Sequence, residues 1–122
     1  MLAAKMYGIG DIRLEETPVP VPGDGEMLIK VKAAAVCGTD VRMIKNGAQG
    51  IDENHPRILG HELSGVIEKL GNGVTGYKLG QRVAVAPNMG CGICDCCVSG
   101  NGHLCPDYSA LGINLDGGFA EY

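Results

Sequence analysis

Six cysteines lie in this 122-residue chain, and five of them fall between Cys91 and Cys105 while Cys37 stands alone far upstream. A disulfide framework spreads its half-cystines to staple distant loops, so this clustering reads as a metal lobe instead. The spacing is Cys91-x2-Cys94-x2-Cys97-x7-Cys105. Two-residue spacers let successive thiolates curl onto one ion, Gly90 and Gly92 permit the tight turn, and the seven-residue return brings the fourth sulfur round to close a tetrahedron. Four sulfurs with no open position mean a structural zinc. The competing ion is an iron–sulfur cluster, because the bacterial ferredoxin run also uses two-residue spacers and ends in Cys-Pro, as Cys105-Pro106 does; that run, however, has three residues before its last cysteine, not seven. Cys96, beside Cys97, is expected to point away from the ion as a free thiol. His103 is expected to be a solvated loop histidine.

Composition narrows the surroundings of this lobe. With 45% hydrophobic and 20% charged residues, the chain (1–122) is expected to form one compact domain with a modest core. There are 20 glycines but no Trp, one Phe and four Tyr, which points to a turn-rich, mainly β chain. A net charge of -4 lacks the basic footprint of a phosphate-backbone binder, so no nucleic-acid partner is expected. The sequence holds neither a long apolar run nor a basic-then-apolar leader, so no membrane partner is expected and a reducing, cytoplasmic location is the default.

Along the chain, Leu2 to Tyr7 and Ile12 to Glu15 read as short strands. Pro18, Pro20 and Pro22 make an extended connector, since each ring removes an amide donor and restrains the residue before it. From Met27 the residues alternate, with Ile29 and Val31 expected on one face and Lys30 and Lys32 on the other of a half-buried strand. It runs through Ala33, Ala34 and Ala35 to Cys37, after which Thr39 is expected to cap a short helix ending near Asn46-Gly47. The stretch up to His55-Pro56 reads as polar loop. Glu62 to Leu70 and Arg82 to Pro87 read as two further strands, and Gly117 to Tyr122 as the start of another, which suggests a chain that continues past Tyr122. Many short strands argue for a small β-barrel or sandwich, with the cysteine lobe, about 88–107, as an excursion from it.

A second constellation joins Cys37 to His61 and Glu62. Cys37 follows a strand end and Gly60-His61-Glu62 opens the next long strand, and strand ends present ligands rigidly toward a cleft. One thiolate, one imidazole and one carboxylate fall short of closed coordination, which is the condition for a catalytic zinc that admits substrate or water. The metalloprotease pattern His-Glu-x-x-His fails, because Gly65 stands where the second histidine is needed. Gly71-Asn72-Gly73-Val74-Thr75-Gly76 formally matches the dinucleotide fingerprint, but turn and strand, not helix, are expected to follow it, so these glycines read as a hairpin-type turn. Asp52-Glu53 reads as surface, not as an acid–base pair.

Taken together, these motifs resemble the zinc-containing alcohol dehydrogenases of the medium-chain dehydrogenase/reductase family. The family's Gly-His-Glu pattern is matched by Gly60-His61-Glu62, Gly65, Gly71 and Val74, its structural-zinc loop by Cys91 to Cys105, and its first catalytic motif by Cys37-Gly38-Thr39-Asp40. The resemblance implies a mainly β, GroES-like barrel with a cysteine-rich zinc lobe, forming the N-terminal portion of a catalytic domain that a Rossmann domain binding NAD or NADP would follow. It implies that Cys37 and His61 bind the catalytic zinc, that Glu62 can exchange onto it, and that a further protein ligand lies beyond Tyr122. It implies too that Asp40 orients His61, that Thr39 passes on the substrate hydroxyl proton, and that the full-length protein is a homo-oligomer oxidising a secondary alcohol, a polyol or a threonine-like amino alcohol. Alone, residues 1–122 are expected to be inactive. Arg42 departs from the pattern, since many members carry a histidine there to relay the proton; a guanidinium is expected to meet an anionic substrate or cofactor group instead. Two other classes compete: an iron–sulfur electron carrier, and a purely structural zinc-binding or interaction module.

Overall fold

A computed structural model describes residues 1–122. The chain begins with a hairpin, β1 (Leu2–Gly8) and β2 (Asp11–Glu16), whose ladder runs from Leu2↔Glu16 to Gly8↔Asp11. The proline connector leads to β3 (Met27–Ala35), which is followed by α1 (Gly38–Asn46), β4 (Arg57–Ile58) and β5 (Glu62–Leu70). Then come β6 (Arg82–Ala84), β7 (Asn88–Met89), α2 (Asp95–Val98), a 3-10 turn (Gly102–Leu104) and β8 (Ser109–Ala110). They make two three-stranded sheets, β2-β1-β4 and β3-β5-β6, and a two-stranded neck, β7-β8. The architecture is mainly β, as the sequence implied.

The closed barrel is not formed. No ladder joins the two larger sheets. The Phe119 carbonyl accepts from the Ala4 amide at 2.8 Å and the Glu121 carbonyl accepts from the Val31 amide at 2.9 Å, so residues 119–121 tie β1 to β3. In place of the strand expected there, a single bridge, Ala3↔Ala120, is found.

The β3 facing also departs from simple alternation. Register shifts fall between Leu28 and Ile29 and between Val31 and Ala33. Each bulge turns the side chains over, so the buried residue is Leu28, with Ile29, Lys30 and Val31 all half-buried. The glycine run from Gly71 to Gly76 enters no helix, as expected. It folds back on the turn before β3, with the Gly71 amide donating to the Glu26 carbonyl at 2.9 Å and the Gly25 amide to the Asn72 carbonyl at 2.8 Å.

The core is thin. Met6, Met43 and Leu59 form its centre, with Ile44, Ala48, Ile51 and Phe119 packed against them. Only 14 of 122 residues are buried, so hydrophobic burial is a limited source of stability and bound metal would add appreciably to it.

Candidate metal centres

Strand register builds the first centre. Because Ala35 pairs with Glu62, the two antiparallel strands bring the residues just beyond β3 alongside those just before β5. Cys37 and His61 therefore meet. Ligand atoms of Cys37, His61 and Glu62 all lie within 4.8 Å of one another. Cys37 itself is the extended N-cap of α1 (φ -88, ψ 156), which places Thr39 second in the helix instead of at its cap. The cap is lost to Thr39 because Asp40, third in the helix, reaches back and accepts the Cys37 amide at 2.8 Å.

Asp40 is fully buried and has a second duty. Its Oδ1 accepts the Gly60 amide at 3.3 Å and lies 3.6 Å from His61 Nδ1. That nitrogen is buried and has no hydrogen-bond partner. The Asp40 carboxylate at 3.6 Å is placed to favour the tautomer with its proton on Nδ1, which would leave the Nε2 lone pair for a metal. An orphaned buried imidazole nitrogen facing a carboxylate, opposite a thiol and a second carboxylate, fits a metal whose ligands are one sulfur, one nitrogen and one oxygen.

Gly60 makes the approach possible. Its φ is +88, and a Cβ there would stand 2.6 Å from the Phe119 ring. Segment 117–119 lies along it: the Gly117, Phe119 and Gly118 amides donate to the carbonyls of Ile58, Leu59 and Gly60 at 2.7, 3.0 and 2.8 Å. This wall was invisible to motif spacing. The signal that could have found it is the set Gly112, Gly117 and Gly118, residues without side chains where another backbone comes close.

The second centre is the cysteine lobe, held at its neck by Asn88↔Ala110 and Met89↔Ser109. Cys94 and Cys105 sulfurs are 3.8 Å apart and those of Cys91 and Cys97 4.0 Å, with all four ligand atoms within 4.8 Å. A regular tetrahedron with metal–sulfur bonds of about 2.3 Å has edges of about 3.8 Å, so the cage fits a single ion. These distances leave no room for inorganic sulfide between the thiols and are too long for a disulfide. Gly90 forms the floor, since a Cβ on it would come within 2.7 Å of the Cys97 sulfur.

The thiols also resist sharing charge without a cation. Cys91 is lowered to about 7, first by the Ile93 amide and then by that of Cys94. For Cys97 the largest single influence is the Gly92 amide, which favours thiolate, but burial and the Cys94, Cys105 and Cys91 thiols together push it up to about 12. Four thiolates in one cage need a positive ion. Cys96 lies outside this group and His103 is exposed, as expected of both. Asp52 and Glu53 are surface groups. Asp52 accepts the Asn54 and His55 amides, and Glu53 pairs with Arg13.

Thr39 is half-buried and its hydroxyl makes no intramolecular hydrogen bond. A groove of about 380 Å³, lined by Leu28, Ile29, Ile58, Leu63 and Leu111 among others, includes none of the candidate metal ligands. That groove is mostly apolar.

Residues 23–122 match the family model described as the alcohol dehydrogenase GroES-like domain. The chain is 44% identical over 112 residues to an L-threonine 3-dehydrogenase of Stenotrophomonas maltophilia, covering 91% of this chain and 33% of that protein. Its fold superposes on galactitol-1-phosphate dehydrogenase from Escherichia coli with a TM-score of 0.91 at 34% identity, over 99% of this chain and 34% of the other. It superposes also on a short chain alcohol dehydrogenase from Escherichia coli CFT073 complexed with NADH, with a TM-score of 0.90 at 36% identity, again over 99% and 34%. The chain thus spans about a third of the length of these relatives.

Proposed function

The chain belongs to the alcohol dehydrogenase GroES-like domain family, and from that premise we propose that residues 1–122 are the metal-binding part of a zinc-dependent, NAD(P)-linked dehydrogenase of secondary alcohols. Cys91, Cys94, Cys97 and Cys105 would hold a structural zinc, and Cys37, His61 and Glu62 would hold the catalytic one. Support comes chiefly from one contrast: the four-sulfur cage is closed, whereas the Cys37, His61 and Glu62 cluster provides three donors and so has room for substrate. A bound zinc supplies a Lewis acid that favours the alkoxide form of the substrate, and nicotinamide, held by residues outside this chain, supplies the hydride acceptor.

The protein's own groups then have defined tasks. Asp40 fixes the His61 ring by facing its Nδ1, and it holds the α1 start to the β5 start through the Cys37 and Gly60 amides. Thr39, two residues from Cys37, accepts the substrate hydroxyl proton and hands its own to water. Glu62, exposed at the first position of β5, would offer the metal an exchangeable carboxylate ligand. The substrates are polyols or threonine-like amino alcohols, consistent with the names of the relatives. No helix is long and apolar enough to cross a membrane. The reducing cytoplasm suits six free thiols, and exposed apolar residues such as Val21 and Leu79 suit a homo-oligomer.

Metal analysis tests this. The purified chain should carry two zinc ions and be colourless, with Cys94→Ser losing one and His61→Ala the other. Iron with labile sulfide would establish the electron-carrier class instead. Unchanged metal content in His61→Ala would leave a structural zinc module and refute the catalytic site.

A further inference from the structure

A polar groove of about 430 Å³ lies between α1 and the loop after β8, lined by Arg42, Gly47, Gln49, Ile113 and Asn114 among others. No carboxylate lines it. Arg42 is exposed and forms no ion pair, whereas Arg13 is held by Asp11 and Glu53 and Arg57 by Asp116. Opposite Arg42, Asn114 Oδ1 accepts the Ala110 amide at 3.1 Å. A backbone amide can only donate, so that bond fixes the orientation of the carboxamide and leaves the Asn114 NH2 group as a free donor at the groove. The Gln49 side chain is exposed and makes no intramolecular hydrogen bond, which adds a third source of donors.

Cys37, His61 and Glu62 do not themselves line the groove, but both of its walls are joined to them by short stretches of chain or close packing. Arg42 stands three residues after Thr39 and so shares its side of α1. Ile113 and Asn114 follow Gly112, which packs so closely on Gly60, the residue before His61, that a Cβ on it would come within 2.9 Å of the Gly60 amide. An alcohol held at Cys37, His61 and Glu62 would extend its far end along this path. Guanidinium plus two carboxamides, with no acid nearby, is a donor set for an oxyanion.

We propose that this groove is the subsite for an anionic tail, phosphate or carboxylate, carried by the alcohol substrate, with Arg42 setting the preference for charged over neutral alcohols. The assignment of the tail to the substrate rests on the reading of Cys37, His61 and Glu62 as the catalytic metal site. The groove's affinity for an oxyanion does not depend on it.

The test is titration of the isotope-labelled, zinc-loaded chain with inorganic phosphate, sorbitol 6-phosphate, sorbitol and NADP in turn, following the Arg42 Nε–H and the Gln49 and Asn114 side-chain amides by NMR. Phosphate and sorbitol 6-phosphate should shift these signals saturably, the phosphorylated polyol binding more tightly than either phosphate or sorbitol alone. Arg42→Gln should weaken both anions by about tenfold or more, with Arg42→Lys recovering part of the loss and zinc content unchanged in each. Signals that stay still with phosphate, or equal affinity in Arg42→Gln, would overturn the subsite. Movement with NADP but not with sorbitol 6-phosphate would assign the groove to the dinucleotide and equally overturn the substrate-tail assignment. Failure of the metal reading would show separately, as zinc content unaffected by His61→Ala, whatever phosphate does.

Discussion

Replacing Asp40 should cost more than any other single polar change in the chain. Its carboxylate satisfies the Cys37 amide at 2.8 Å and the buried Gly60 amide at 3.3 Å, and it is itself fully buried. In Asp40→Ala both amides lose their acceptor, at about 1–3 kcal/mol each, with the partly exposed Cys37 amide at the lower end because water can reach it. Loss of the first-turn acid of α1 adds about 0.3–1 kcal/mol. The total is about 2–5 kcal/mol, a large share of the ~5–15 kcal/mol typical of a domain. Asp40→Asn keeps one accepting oxygen but sets an NH2 group against the other amide, for a loss of about 2 kcal/mol. Urea unfolding followed by circular dichroism should rank the variants in that order. Asp95→Ala removes the exposed first-turn acid of α2 and should change stability by less than about 1 kcal/mol. In both Asp40 variants metal affinity at the Cys37 and His61 site should fall about 10–100-fold, while the cysteine lobe keeps its ion. A change below about 0.5 kcal/mol in Asp40→Ala would refute the claim that this carboxylate joins helix to strand.

Gly90→Ala should lower zinc affinity in the lobe, because the new Cβ meets the Cys97 sulfur at 2.7 Å and the Gly102 carbonyl at 3.2 Å. Competition with a chromophoric chelator would read this, and wild-type affinity would refute it. Stability of the metal-free chain should follow its thiols. Cys91 titrates at about 7 when folded against an ordinary 9.0, so the folded chain binds fewer protons than the unfolded one in that window; stability rises from pH 7 to 9 and is lost as pH falls through 7. Cys97, held up at about 12, keeps a proton that the unfolded chain gives up above 9.0, so stability falls again from there toward pH 12. The chemical denaturation midpoint of chelated protein should therefore peak near about pH 9. A midpoint that declines steadily from pH 7 would contradict the environment described for Cys91.

What the sequence could and could not reveal divides along chain distance. The cysteine cage was legible because its four ligands lie within a single excursion, so spacing alone decides whether they can converge. Strands β3 and β5 were legible because each is a nine-residue run with a local signal of its own, the Ile29 to Lys32 alternation in β3 and the Gly71-Asn72-Gly73 stop directly after β5, even though bulges turn the faces. Two-residue pairings such as β4 and β7 carry no period to detect. Thr39 is the instructive error. A threonine after a strand is a good cap by type, but the cap belongs to whichever residue has its amide satisfied from the first turn, and the Asp40 side chain reaches Cys37. Asp40 does the same for Gly60, twenty residues on, and Asp116 Oδ1 does it for the Ile58 amide at 3.0 Å across fifty-eight. Backbone donors stranded between short strands at Ile58 and Gly60 need acceptors that strand pairing does not supply, and carboxylates remote in sequence provide them. The pairing of Asp40 with Gly60 also sets Asp40 opposite His61 Nδ1, so the group that completes the backbone hydrogen bonding is the same one that orients the metal-facing imidazole. Only the folded chain brings those two requirements onto one side chain.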